Sequence, residues 1–221
     1  MLKRTTLKTQ AYDFLKNAIL NDEFKLDIIY SEQYFADLLN ISRTPVRESI
    51  LQLAQEGFVD ILPNRGITIR QVSELEIKQM FQLRTAIEGY CCKFAAENIN
   101  TEKGIELLQV LEQNIGDEEK IFLSNGKPLE YMDTDTNFHL NIVQFTENSQ
   151  FISIMSNLRS RINQIGIKTL YKQGRMNDAL KEHKNILFYI KNGDDINAYN
   201  AAQTHFLNAQ KCILSSNAIK E

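Results

Sequence analysis

The sequence predicts a mainly α-helical fold in two regions, divided by a single β-hairpin. Three observations carry this. Glycine and proline number only nine and three in 221 residues, so helix breakers are scarce. Apolar residues recur at a spacing near 3.6 along most of the chain, the mark of helices with one buried face. The exception is the run from Gly57 to Arg70. There Phe58-Val59-Asp60-Ile61-Leu62 and Ile67-Thr68-Ile69-Arg70 flank Pro63-Asn64-Arg65-Gly66, two β-prone runs around a turn.

Before the hairpin, the pattern predicts helices near 7–20, 31–39 and 44–56. Thr44 followed by Pro45 reads as the start of the third, a hydroxyl cap and then a proline whose missing N–H costs nothing there. Val46, Ile50 and Leu53 mark its apolar face. Three helices and a hairpin describe a winged helix-turn-helix over residues 1–72. After the hairpin only helices are predicted, near 73–98, 101–123, 128–145, 149–169, 175–191 and 195–216, making residues 73–221 an all-α domain. Val72-Ser73-Glu74 is the expected junction, with Ser73 as N-cap.

Composition narrows the function classes. No apolar run reaches the length of a membrane span, and the N-terminal Met1-Leu2-Lys3-Arg4 does not lead into a secretory signal. A cytoplasmic protein is the expectation. Cys91, Cys92 and Cys212 form no disulfide framework, since adjacent cysteines pair poorly and the count is odd; they read as reduced, half-buried small hydrophobes. The net charge is −3. Residues 1–72 carry nine basic and nine acidic side chains, so any nucleic-acid binding must concentrate positive charge on one face.

Such a face is available. Ser42, Arg43, Thr44 and Arg47 surround the start of the third helix, and a recognition helix enters the major groove with its N-terminal residues leading. Arginine can fork onto guanine O6 and N7, while small hydroxyls bond phosphate. Arg65 and Gly66 at the wing tip offer a further cation on a turn. The competing reading is a surface helix whose arginines pair with Glu48 or Asp37.

Ser42-Arg43-Thr44-Pro45-Val46-Arg47-Glu48, with Leu53, Glu56-Gly57 and Pro63-Asn64-Arg65-Gly66, resembles the signature of GntR-family regulators. Ser31-Glu32 and Phe35-Ala36-Asp37-Leu38-Leu39 are similar to the family's first helix of the motif. The resemblance spans about residues 8–70 and implies binding to double-stranded, pseudo-palindromic operator DNA as a homodimer. The sequence departs from the family pattern in two places. Leu26-Asp27 stands where Pro-Gly is usual, and Gln33 where many relatives carry an arginine contacting DNA.

In the second region, inward stripes carry polar residues. Met132, Asp135, His139 and Ile142 share one face, as do Leu180, His183, Leu187 and Ile190, and again Ala198, Ala202, His205 and Ala209. Any one inward histidine is ordinarily a hydrogen-bonded core residue. Here all three histidines of the chain face inward, beside an aspartate expensive to bury unpaired. Asp135 and His139, four residues apart, can reach one metal from one helix face, with His183 and His205 completing the site. Arg84 lies inward with Ile77, Met80, Ile87 and Cys91; it reads either as an anion anchor or as an i,i+4 partner of Glu88.

Arg84-Thr85-Ala86-Ile87-Glu88, Asp135-Thr136-Asn137-Phe138-His139, Glu147-Asn148, Glu182-His183 with Asn192-Gly193-Asp194, and Thr204-His205-Phe206-Leu207 resemble the FCD ligand-binding domain of the FadR subfamily of GntR regulators. This resemblance, over about 73–216, implies a helical bundle whose metal site is one Asp and three His. The donor set suits divalent Zn, Ni, Mn, Fe or Co. Counting Asp135 alone, a dication leaves the site near +1, which with Arg84 points to a small carboxylate effector. A ligand-responsive repressor is therefore expected, not an enzyme. Two other readings remain open: a regulator for which the metal itself is the signal, and a metalloenzyme, for which the sequence offers no convincing general base, Asp133 and Glu182 being nearby but unsupported as catalysts.

Overall fold

The computed structural model describes residues 6–21, 23–70, 72–170, 172 and 174–215. The chain divides into two compact units, Met1–Val72 and Ser73–Glu221.

The first unit contains α1 (Leu7–Leu20), α2 (Glu32–Leu39), α3 (Arg43–Gln55) and the antiparallel pair β1 (Val59–Leu62) and β2 (Gly66–Ile69). Its core is the set of positions the periodicity selects: Leu15, Phe35, Val46, Ile50, Leu53 and Phe58 are all buried. Thr6 and Ser31 cap α1 and α2 by accepting from Thr9 N and Tyr34 N, satisfying N–H groups that the helix leaves unpaired. Ser49, fully buried, donates to the carbonyls of Lys8 and Pro45, both at 2.8 Å, and ties α3 to the start of α1.

Two details differ from expectation. Helix α3 begins at Arg43, with Ser42 as its N-cap and without a side-chain cap bond; Thr44 and Pro45 are its second and third residues. A Thr-Pro pair does not fix the register, because every N–H of the first turn lacks an intrahelical partner and proline is harmless at any of them. The hairpin also has a third associate. Tyr30 N donates to Ile67 O at 2.7 Å and Ile67 N to Tyr30 O at 2.8 Å, while the Thr68 hydroxyl donates to Leu26 O. The unusual Leu26-Asp27 segment thus runs beside the wing. This pairing explains Gly66, whose φ is +131° and whose absent Cβ would sit 2.4 Å from Tyr30 O.

The second unit is a bundle of α4 (Glu74–Glu97), α5 (Glu102–Leu123), α6 (Pro128–Phe145), α7 (Ser149–Leu170), α8 (Arg175–Lys191) and α9 (Asp195–Leu214). Helix α4 packs along α9, α5 against α6 and α8, and α6 against α7. Ser73 starts α4 in a capping box with Glu76, two orphan N–H groups satisfied reciprocally. Residue 216, the expected end of the last helix, lies outside the described residues. Cys91 and Cys92 are fully buried rather than half-buried, and Cys212 is intermediate. Among the described residues no helix is long and apolar enough to cross a membrane.

Candidate metal centre and nucleic-acid interface

Histidines 139, 183 and 205 come from α6, α8 and α9 and meet inside the second unit. Their ring centroids are 4.6–5.0 Å apart, and one nitrogen of each lies within 4.8 Å of the others. All three are buried. Each turns Nδ1 away from the cluster onto a carboxylate. His183 Nδ1 lies 2.9 Å from Glu118 on α5, and His205 Nδ1 lies 2.8 Å from Glu182 on α8. His139 Nδ1 lies 2.9 Å from Glu88 Oε2 on α4, a close contact without hydrogen-bond alignment, since that oxygen has no hydrogen-bond partner.

The carboxylates are themselves fixed. Arg84 Nε donates to Glu88 at 2.7 Å. The Tyr131 hydroxyl donates to Glu118 at 3.1 Å. Arg175 grips both oxygens of Glu182 with its two terminal nitrogens, and Asn208 also donates to Oε1. Carboxylates placed behind imidazoles in this way set the tautomer and ring orientation of metal-ligating histidines.

The chemistry of the inner nitrogens tests whether a metal fits. His139 Nε2 and His183 Nε2 are buried without hydrogen-bond partners. Leaving two such atoms without hydrogen bonds is costly in a protein interior, and a shared cation would satisfy both. Burial, and then the neighbouring His183 and His139, push the His205 pKa well below its usual value, favouring the neutral form that coordinates. His183 differs: burial opposes its charge, but Glu118 outweighs it and raises the pKa. Burial likewise opposes the charge of Glu88, yet Arg84 and His139 hold its pKa at about 2.

Asp135 takes a distinct place. Its Oδ1 is 3.6 Å from His183 Nε2 and its side chain is 14% exposed, so it stands at the edge of the histidine cluster. It lines two narrow cavities of about 20 and 30 Å³, which also share Arg84 and Ile162. Thr136, whose hydroxyl donates to Asn163, adds polar lining to the first; Thr169, Arg175 and His205 add it to the second. Of the two readings the sequence allowed for Arg84, the structure shows the pairing with Glu88. The Arg84 side chain is 6% exposed and borders both cavities. Only its Nε is engaged in hydrogen bonding among the described residues; its guanidinium lies 4.6 Å from the Phe206 ring centroid.

Sequence reasoning missed the outer carboxylates. The stripe Leu107, Leu111, Ile115, Glu118, buried throughout, ends on the glutamate and would have exposed it. Glu182 was considered only as a catalytic base; instead Arg175, His205 and Asn208 engage it. Asp133 is exposed.

In the first unit, Ser42, Arg43, Thr44 and Arg47 are all exposed, as is Arg65 at the wing tip, with Gly66 beside it half-buried. Arg43 and Arg47 pair with neither Glu48 nor Asp37. Both reach Glu32 at the start of α2, Arg47 Nε at 2.8 Å and Arg43 Nη2 at 3.3 Å. Gln33 is exposed and donates to Asp37 at 2.7 Å.

A winged helix-turn-helix in one chain with a histidine-lined helical bundle defines a class, the two-part transcriptional regulators. Residues 7–69 match the model of the bacterial regulatory proteins of the gntR family, and residues 79–208 match the FCD domain. The chain belongs to the GntR family of transcriptional regulators, with an FCD domain. It is 24% identical over 204 residues to the HTH-type transcriptional regulator YdhC of Bacillus subtilis, covering 92% of this chain and 89% of that one. It is 24% identical over 185 residues to the transcriptional repressor RspR of Escherichia coli, covering 84% and 79%. A solved GntR-type structure from Rhodococcus sp. RHA1 shares the fold with a TM-score of 0.74, at 18% identity over 96% of this chain and 99% of that one. A metal-free FCD domain covers 66% of this chain and is itself covered to 96%, with a TM-score of 0.54 and 20% identity.

Proposed function

We propose that this chain is a dimeric, cytoplasmic repressor whose binding to a pseudo-palindromic operator is modulated by a small carboxylate held at a divalent metal in the second unit. The observation that carries the reading is the convergence of His139, His183 and His205, two of whose buried Nε2 atoms have no hydrogen-bond partner. These three residues and Asp135 would hold the ion, which supplies a Lewis-acidic centre for an anionic oxygen. Arg84, which borders both cavities, orients the carboxylate. Arg43, Thr44, Arg47 and Ser42 read the major groove, with Arg65 and Gly66 at the wing and Gln33 at the phosphate edge.

Relatives named as repressors support the sign of regulation. An enzyme is disfavoured by the family and by Glu182, which is engaged by Arg175, His205 and Asn208 rather than poised as a base. The test has two arms. Titration calorimetry of metal-loaded protein against a panel of small carboxylates should find a ligand whose binding disappears in His183→Ala. That ligand should then change operator affinity, because only differential affinity for two states can switch it. Operator binding that follows metal concentration alone would favour a metal sensor and refute the effector reading.

A further inference from the structure

The pairing of Glu32 with both arginines of α3 has a use beyond stabilising the fold. Glu32 stands in the first turn of α2, capped by Ser31, and 22% of its side chain is exposed, against 59% and 62% for Arg43 and Arg47. The carboxylate is thus the sheltered partner and the two guanidinium groups are presented to solvent. The nitrogens it occupies are complementary. Arg47 gives Nε, so the edge formed by its two terminal nitrogens carries no other bond among the described residues, and Arg43 gives one of the two N–H groups of Nη2, which leaves one two-donor edge of its guanidinium. Each arginine thus keeps a two-donor edge, the arrangement needed to fork onto guanine. Its hydrogen bond from Arg47, outweighing partial burial, keeps Glu32 ionised by lowering its pKa.

We propose that Glu32 is a specificity-determining residue of the reading head: it fixes Arg43 and Arg47 in a base-reading posture and withholds part of their charge from the phosphate backbone. The inference rests on the DNA-reading assignment of α3 above. A carboxylate on the DNA-facing side lowers affinity for every sequence through repulsion of phosphate. It raises discrimination because arginines already ordered lose less freedom on docking to the correct bases. Without Glu32 the two side chains are free to swing to phosphates, which carry no sequence information.

The experiment starts with the full-length wild type enriching a binding site from a randomised duplex library. Affinities for that duplex and for a shuffled one are then measured by fluorescence anisotropy for wild type, Glu32→Gln and Glu32→Asp. Glu32→Gln should lower the ratio of the two affinities by at least about tenfold, with binding to shuffled DNA unchanged or tighter. Its own enrichment profile should relax at the positions that Arg43→Ala or Arg47→Ala relaxes. Glu32→Asp keeps the charge but not the reach, so it should stay as unselective as Glu32→Gln. An unchanged ratio in Glu32→Gln, or full selectivity in Glu32→Asp, overturns the proposal, the latter by reducing Glu32 to general repulsion. Parallel loss on both duplexes with a lowered Tm also overturns it, leaving Glu32 a folding residue. A wild type that enriches no sequence would instead defeat the DNA-reading assignment itself.

Discussion

Replacing Glu118 by glutamine isolates the role of the carboxylates behind the histidines. Glu118 is fully buried. Its two oxygens lie 3.0 and 2.9 Å from His183 Nδ1, and one of them accepts from Tyr131 at 3.1 Å. Glutamine has nearly the same shape, and its carbonyl can still face the imidazole, so no cavity opens. What is lost is the charge. A hydrogen bond to a charged acceptor contributes about 1.5–3 kcal/mol and a neutral one about 0.5–1.5, so the bond behind His183 weakens by roughly 1–1.5 kcal/mol. Loss of a partner behind a metal-binding histidine typically lowers metal affinity about 10–100-fold. Stripped protein titrated with Zn²⁺ in competition with a chelator should therefore show Kd raised about tenfold for Glu118→Gln, the low end of that range. Glu119→Gln, which removes only an exposed pair with Lys184, should leave Kd and Tm unchanged. A Glu118→Gln protein with wild-type metal affinity, whatever its Tm, would refute the argument that Glu118 orients a ligand.

Four further outcomes are expected. Arg43→Ala and Arg47→Ala should each weaken operator binding by about 1–3 kcal/mol and relax the sequence preference, measured by anisotropy on matched and mismatched duplexes. Gly66→Ala should destabilise the first unit by roughly 1–3 kcal/mol, read from urea unfolding, because φ is +131° there and the new methyl would meet Tyr30 O. Burial and then Glu88 raise the Cys91 thiol to about 12, and burial raises Cys92 still further. A thiol reagent at pH 8 should therefore label Cys212 alone in the native protein, and all three after denaturation. Removing the metal with a chelator should lower Tm, since an ion present at about 100 times its Kd stabilises the native state by about 2.7 kcal/mol.

The helices were legible because each carries its own signals. Ser73 and Glu76 announce the start of α4, and the stripe from Ile77 to Cys91 shows which face is buried. Thr44-Pro45 announced a start but not its register, since proline is tolerated throughout the first turn. The Tyr30–Ile67 pairing was not legible, because an isolated bridge of one residue has no period to detect. For the metal centre, the histidines and Asp135 stood out as polar residues on apolar stripes. Glu88 was visible only as a helix-mate of Arg84, at a spacing too common to single out. That it also faces His139 depends on how α4 packs against α6, a long-range fact absent from any local pattern. Glu32 was hidden for the same reason: its partners lie 11 and 15 residues away, across the turn between α2 and α3.

The frame of carboxylates alters what an effector would meet. Around the three imidazoles stand four acidic side chains, Asp135, Glu88, Glu118 and Glu182, against two guanidinium groups, Arg84 and Arg175. With neutral histidines that surplus is two negative charges, the amount one divalent ion cancels. A loaded centre is then electrically neutral, not the net cation that Asp135 alone would leave. Recognition of a carboxylate there would draw on directed bonds, to the ion and to the terminal nitrogens of Arg84, instead of on a diffuse positive field. Such a pocket discriminates by the placement of oxygens within a molecule more than by how much charge that molecule carries.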